Sequence, residues 1–323
     1  MIGRRALLGS ILATPALAQA PYPSRAIRVI VPFAPGGATD FVARIVQPAL
    51  QEILGQPLVI ENRTGAAGNV GLEAAARLPA DGYNLFFGNV GTLAVNPTVF
   101  ARTIQAQPLR DFAPISMAGD MPDVLVVKND LPARSVAELI ALARAQPGKL
   151  NFGSPGAGSL NRLEMELLRE AAGGLDMVHV PYPGGAGPAV LAIVAGDVDL
   201  LMTTLPSAMA QIQAGRIRAL AVTSAARAPG LPEVPTLRES GFPDFVSGSW
   251  QGVLTPAGTP PEIVTRLHGA IVAAMQRPEV RQKLAAGGVS PDVSESPAAF
   301  AAFIGREAER WGSLATRARV SVD

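Results

Sequence analysis

One arrangement recurs along this chain and limits what it can become. An apolar, β-branched run stops at a glycine-rich turn, and an amphipathic helix begins at once. "IRVIVPFAPGGATDFVARIVQPALQEIL", Ile27 to Leu54, contains all three parts. Strand runs alternating with helical patterns argue for an α/β chain with largely parallel sheets covered on both faces. "PLVIEN", "AGNVGLEAAARL", "YNLFFGN" and "FAPISMAG" continue a first set. A second set opens at "DVLVVKN" and repeats the order. In it, "SVAELIALARAQPG" should be a helix with Ser135 as N-cap and Glu138 completing a capping box. "KLNFGSPGAGS" with "NRLEMELLREAAGG", then "MVHVPYPGGAG" with "PAVLAIVAGD", repeat strand, turn and helix, and "VDLLMTT", "PSAMAQIQAG" and "IRALAVTS" finish the set.

A proline-rich stretch, "AARAPGLPEVPTLRESGFPDF", precedes the strand "GSWQGVLTP" and three helices. Thr259, Pro260 and Glu262 mark one helix start and Pro278 another. In the last helix Phe300, Phe303, Ile304 and Trp311 recur at helical spacing, a core-packing stripe. The second set already fills a sheet, so these late elements are expected to return to the first. The prediction is two α/β lobes, 19–122 plus 226–323 and 123–225, which suits a length of 323 residues. The chain would cross near Met121–Asp123 and again between residues 225 and 247. Two crossings make a hinge with a cleft between the lobes.

The first residues read as an export leader. Arg4 and Arg5 form a basic start, and Ala6 to Leu17 is apolar but interrupted by Pro15. That run falls short of the roughly 20 apolar residues a membrane span needs. Cleavage is expected after Ala18, making 1–18 a signal peptide, and "RRALL" also resembles a twin-arginine signal. Without Arg4 and Arg5, Lys plus Arg falls from 27 to 25 against 26 acids, so the net charge moves from +1 to −1. No dense basic run remains, which argues against a nucleic-acid partner. The expected location is the periplasm. The absence of cysteine excludes disulfides, a thiol nucleophile and thiolate metal sites.

The glycine-rich turns suggest a chemistry. Backbone N–H groups in a helix's first turn lack partners and carry partial positive charge. Glycines let an anion approach them without meeting a Cβ. "PFAPGGATD" would present the amides of Gly36, Gly37, Ala38 and Thr39. "GSPGAGSLN" would present Gly156, Ala157, Gly158 and Ser159, with the hydroxyls of Ser154 and Ser159. "TGAAGNVG" and "YPGGAGP" are weaker versions, and "GNVGTLAVNP" adds Asn89 and Thr92 at the rim. Ligands of open α/β sheets sit beyond the carboxyl ends of the strands, where these loops fall. Enzyme motifs are missing: there is no P-loop, complete dinucleotide fingerprint or nucleophile elbow. His179 falls in a strand pattern and His268 on a helix, without metal-ligand spacing. No cofactor, metal or catalytic residue is therefore expected.

Longer stretches carry a resemblance. "YPSRAIRVIVPFAPGGATDFVARIVQPALQEILGQPLVIENRTGAAGNVG", "LPADGYNLFFGNVGT", "PGKLNFGSPGAGS", "MVHVPYPGGAGPAV" and "GDVDLLMTTLPSA" resemble the solute-binding receptors of tripartite tricarboxylate transporters, the Bug-type periplasmic proteins. The match runs in order through nearly all of the chain after the leader. It implies a Venus-flytrap fold (type II periplasmic binding protein) closing on a small organic acid. The family's first ligand loop matches Phe33, Ala34, Gly36, Gly37, Ala38, Thr39 and Asp40, and its facing loop matches Ser154 to Ser159. Thr204 joins the expected ligand set. Two departures bear on the ligand: Arg162 stands where a His is common, and "LMTTL" around Thr203 lacks a frequent Asp. The implied partners are the membrane components of such a transporter, or a sensor kinase reading the loaded form, and a monomer is expected. An exported enzyme on the same scaffold is the alternative from another class.

Overall fold

The computed structural model describes residues 22–318 and 320. The expected leader and its cleavage site lie outside the described residues. Within them the strands are β1 (Ile27–Val31), β2 (Leu58–Asn62), β3 (Asn84–Asn89), β4 (Phe112–Met121), β5 (Asp123–Lys128), β6 (Asn151–Ser154), β7 (Val178–Pro181), β8 (Leu200–Thr204), β9 (Ile217–Val222), β10 (Ser249–Pro256) and β11 (Ser290–Val293). They form a six-stranded sheet in the order β11-β4-β10-β3-β1-β2 and a five-stranded sheet in the order β7-β6-β8-β5-β9. The chain crosses between the sheets twice, from β4 to β5 and from β9 to β10. This is the two-lobed α/β architecture expected.

The expectation of mainly parallel sheets needs correcting. β2-β1-β3 and β7-β6-β8 are parallel, as strand–helix–strand units require. The strands at the crossings run the other way: β4 and β10 pair antiparallel, as do β10 with β3 and β5 with both β8 and β9. β4 and β5 leave and enter across the hinge with only Pro122 between them, and β9 and β10 return the chain. These strands follow the path of the crossing rather than a helix-linked repeat.

Local signals mostly hold. Ser135 caps helix Val136–Ala145 by accepting from the Glu138 amide at 3.2 Å, while Glu138 accepts from the Arg134 amide at 2.7 Å. Helix Pro261–Met275 starts one residue later than expected, capped by Pro260. The Thr259 hydroxyl donates instead to the Pro256 carbonyl at 2.8 Å. The stripe of the last helix, Pro297–Arg317, is core: Phe300, Ile304 and Trp311 are buried and Phe303 packs against them.

Each sheet carries apolar packing on both faces. In the larger lobe, helices Ala38–Leu54, Pro261–Met275 and Pro278–Ala286 cover one face and helix Pro297–Arg317 the other. In the smaller lobe Leu237, Phe242 and Phe245, from the proline-rich stretch, join the core around Leu125 and Phe152. The crossings are tied together. The Thr223 hydroxyl accepts from the Asp123 amide at 2.9 Å and donates to the Ser247 carbonyl at 3.0 Å. Among the described residues no helix is long and apolar enough to cross a membrane.

Candidate functional site

A cleft lies between the lobes, lined by Phe33, Gly37, Ala38 and Thr39 of the first glycine loop and Pro155, Ser159, Leu160 and Asn161 of the second. Ala67, Asn89, Gly91, Ala186, Thr204 and Ser249 complete it. The lobes touch around it. The Ala34 amide donates to the Gly184 carbonyl at 3.1 Å. A Cβ on Gly158 would lie 2.1 Å from the Phe100 ring, and one on Gly187 would lie 2.9 Å from the Pro35 carbonyl oxygen. The cavity left between the closed lobes is about 40 Å³, room for a few waters.

Four helix N-termini converge on this space. Gly37 caps Ala38–Leu54, Ser159 caps Leu160–Ala171, Gly185 precedes Ala186–Ala195, and Thr204 caps Leu205–Gln213. All four helices follow the carboxyl ends of strands, so their N-termini face one cleft. In the last of them the Leu205 amide is taken by the Pro122 carbonyl at 3.0 Å and Pro206 has no N–H. None of the lining side chains is ionisable. Positive potential in the cleft therefore comes from peptide dipoles.

The first loop is braced from behind. Asp40 is almost completely buried and accepts from Arg44 Nε at 2.9 Å, Asn62 Nδ2 at 2.9 Å and the Gly36 amide at 3.3 Å. Burial raises this carboxyl, but the Arg44 and Asn62 hydrogen bonds outweigh it and hold its pKa below the usual carboxylate range. Asn62 also donates to the Phe33 carbonyl at 2.8 Å. Gly36 takes φ +89°, the left-handed turn that aims the next amides at the cleft. Gly37 is a helix cap without a side chain, so the amides of Ala38, Thr39 and Asp40 have no cap competing for them.

The second loop is arranged differently. Ser154 is fully buried, and its hydroxyl bonds His179 Nε2 at 2.7 Å and the Gly156 carbonyl at 2.9 Å. Burial, and then the Arg162 and Arg169 charges, lower the His179 pKa to about 4, so the ring is neutral at pH 7. Arg162 turns back and donates to the Ala157 carbonyl at 2.7 Å, bracing the loop rather than facing the cleft. Ser159 caps its own helix, accepting from the Arg162 amide at 3.3 Å. Gly156 packs against Ala67 and Gly158 against Phe100 of the other lobe.

Of the residues singled out in the sequence, Phe33, Gly37, Ala38, Thr39, Asn89, Ser159 and Thr204 line the cleft. Ala34, Gly36 and Asp40 shape the first loop, and Ser154, Gly156, Ala157 and Gly158 shape the second. Thr92 is fully buried and fixes Asn89: each accepts from the other's backbone amide at 3.0 Å. Sequence reasoning missed Ala67, Gly91, Pro155, Leu160, Asn161, Ala186 and Ser249. Ala67 and Ala186 fall in the two weaker glycine turns. Ala67 sits at φ +53°, strained for a residue with a Cβ, and its carbonyl accepts from buried Asn96 at 3.0 Å.

Behind Asn161 two wholly buried acids meet at the hinge. Asn161 Nδ2 donates to Asp123 Oδ1 at 2.9 Å and to Glu164 Oε2 at 3.0 Å, and Glu164 also accepts from Ser247 at 2.5 Å. Burial is the main cause raising both carboxyls, and nearby Asp120 and Asp123 respectively add to it. The described residues contain no cluster of potential metal ligands.

Comparison with known proteins places these features in a family. Residues 42–319 match the tripartite tricarboxylate transporter family receptor. Protein BugT of Bordetella pertussis is 39% identical over 96% of this chain and 95% of its own length. A Rhodopseudomonas palustris protein solved with bound malate, MatC, has a TM-score of 0.85 at 32% identity, covering 91% of this chain and 99% of its own. A second R. palustris structure, with adipate, has a TM-score of 0.89 at 37% identity, covering 93% of this chain and 99% of its own.

Proposed function

The chain belongs to the tripartite tricarboxylate transporter receptor family, and we propose that it captures a small organic acid between its lobes for such a transporter. The family comprises periplasmic solute-binding receptors rather than enzymes. The observation that carries the reading is the convergence of four helix N-termini on a cleft lined by uncharged residues. Such a site suits an anion small enough for peptide amides to surround. Relatives solved with adipate and malate support a carboxylic acid as that anion.

In this reading a carboxylate rests on the amides of Ala38 and Thr39, which the bare Gly37 leaves accessible. Ser159, Leu160, Asn89 and Thr204 contact the rest of the molecule from the other sides. The acid enters an open form, and the lobes rotate about Met121–Asp123 and Val246–Ser249. Closure brings Ala34 to Gly184 and Phe100 to Gly158, the contacts of the closed form. The larger lobe then comprises the segment before Pro122 and the one from Ser249 onward. The chain works in the periplasm after losing its leader, performs no chemistry on its ligand, and hands it to the transporter's membrane components.

Charge-assisted hydrogen bonds contribute roughly 1.5–3 kcal/mol each, so four supply about 6–12 kcal/mol before ordering costs. A micromolar Kd, about 8 kcal/mol, is therefore expected. Thermal shift against mono-, di- and tricarboxylates tests the reading. At least one acid should raise Tm, with calorimetry giving one site and the acid recovered unchanged. No response to any carboxylate, or a response to cations or neutral sugars instead, would refute it.

A further inference from the structure

The cleft offers many donors, but one of its polar atoms is of the opposite kind. Asn161 lines the cleft from the first turn of helix Leu160–Ala171 and is only 6% exposed. Both hydrogens of its Nδ2 are committed, to Asp123 Oδ1 at 2.9 Å and Glu164 Oε2 at 3.0 Å. Both acceptors belong to fully buried acids, so the amide cannot be turned over without setting oxygen against oxygen. Oδ1 is therefore the atom that Asn161 presents to the cleft. It has no hydrogen-bond partner among the described residues, and it is not among the buried polar atoms sealed from solvent.

We infer that this cleft selects carboxylic acids carrying a hydrogen-bond donor next to a carboxylate, a hydroxyl or an amino group, and that Asn161 Oδ1 receives the donor. The inference rests on the carboxylate reading above and narrows it. Asn161 is a specificity-determining residue in this account, and Asp123 and Glu164 are positioning residues that fix its orientation. Thr204 and Ser249 carry hydroxyls that can donate or accept, so they do not discriminate. Asn161 Oδ1 can only accept. A bare dicarboxylate leaves it unpaired when the lobes close. A 2-hydroxy or 2-amino acid meets both demands of this corner. In a dicarboxylate of this kind the carboxylate beside the substituent takes the amides of Leu160 and Asn161, the other rests on Ala38 and Thr39, and the substituent donates to Oδ1.

The test is calorimetry on matched pairs with the exported protein. Succinate is compared with malate and aspartate, and glutarate with 2-hydroxyglutarate and glutamate. In each set the donor-bearing acids should bind about tenfold more tightly than the bare one, the effect of one ordinary hydrogen bond. Asn161→Ala should bring malate and 2-hydroxyglutarate down to the level of succinate and glutarate, closing the gap within each set. Equal affinities within the sets for the wild-type protein would overturn the inference while leaving the carboxylate reading intact. So would a preference that survives Asn161→Ala. The wild-type comparison decides even if the variant fails to fold. Binding of no carboxylate at all would remove the carboxylate reading and this inference together.

Discussion

The two glycine loops look alike in sequence and do different work in the fold. Both follow a strand, and both open a helix whose N-terminus borders the cleft. In the first, the cap is Gly37 and the bracing side chains, Asp40 and Asn62, stand behind the loop. In the second, Ser159 caps its own helix and takes the Arg162 amide, while Gly156 and Gly158 press against Ala67 and Phe100. The first loop's glycines leave space for a ligand, and the second loop's glycines leave space for the opposite lobe. In the proposed reading one motif supplies an anion seat on one side and a closure surface on the other.

Gly37→Val should have the largest effect. A Cβ there meets only ordinary contacts, 3.8 Å to the Ala34 carbonyl oxygen and 4.0 Å to the Gly187 amide nitrogen, so Gly37→Ala should fold and bind detectably. Valine adds two methyls over the amides. Losing two charge-assisted bonds at roughly 1.5–3 kcal/mol each should weaken binding by more than about a hundredfold. Calorimetry should show this with circular dichroism unchanged.

Gly158→Ala should act through closure instead. Its Cβ would lie 2.1 Å from the Phe100 ring, so the lobes cannot meet as they do here. The expected loss of affinity is about tenfold, on the order of 1–3 kcal/mol of overpacking. Small-angle scattering should show a larger radius at saturating ligand than for wild type, and adding Phe100→Ala should restore compaction. If Gly158→Ala closes normally, the division of labour between the loops is wrong.

The hinge acids give a pH signature distinct from both loops. Asp123 and Glu164 have folded pKa values above their ordinary ones, with Asp123 pushed up to about 6 chiefly by burial. Their contribution to stability is full below about pH 4 and is lost as pH rises through the folded values. His179, lowered to about 4, works in the opposite sense: its contribution is full above about pH 6.5 and is lost as pH falls toward 4. The informative quantity is therefore the difference between wild type and Asp123→Asn. That variant should shrink the fall in stability between pH 5 and pH 8 by on the order of 1–3 kcal/mol in denaturant titrations. An unchanged profile would mean the pair does not hold a proton at the hinge. The smallest effect is expected for Ser159→Ala, about 1 kcal/mol of stability for a lost cap, with affinity within about threefold.

Much of this was legible in the sequence because backbone geometry dictates it. Alternating strands and helices with glycine-rich turns between them foretold two α/β lobes and the two glycine loops that border the cleft. The resemblance of those stretches to a receptor family then gave the lobes a purpose. What escaped depended on pairings across the chain. The antiparallel course of β4, β5, β9 and β10 follows from two crossings tied by Thr223, Asp123 and Ser247, which no local period records. Ser249 reaches the cleft only because β10 re-enters there. Asp123 and Glu164 are ordinary acids in sequence, and only folding sets them on either side of Asn161. The hydroxyl of Ser154, a natural candidate in a glycine loop, is occupied by His179, a strand residue 25 positions away.

The central claim is that a carboxylate is held by peptide amides at the mouth of the first helix. A crystal structure of the protein saturated with the acid that most raises its Tm tests it most directly. The account predicts carboxylate oxygens about 2.7–3.1 Å from the amide nitrogens of Ala38 and Thr39, with no Lys or Arg nitrogen in contact. A carboxylate seated instead on an arginine or lysine side chain, or bound outside the cleft between Gly37 and Ser159, would contradict it.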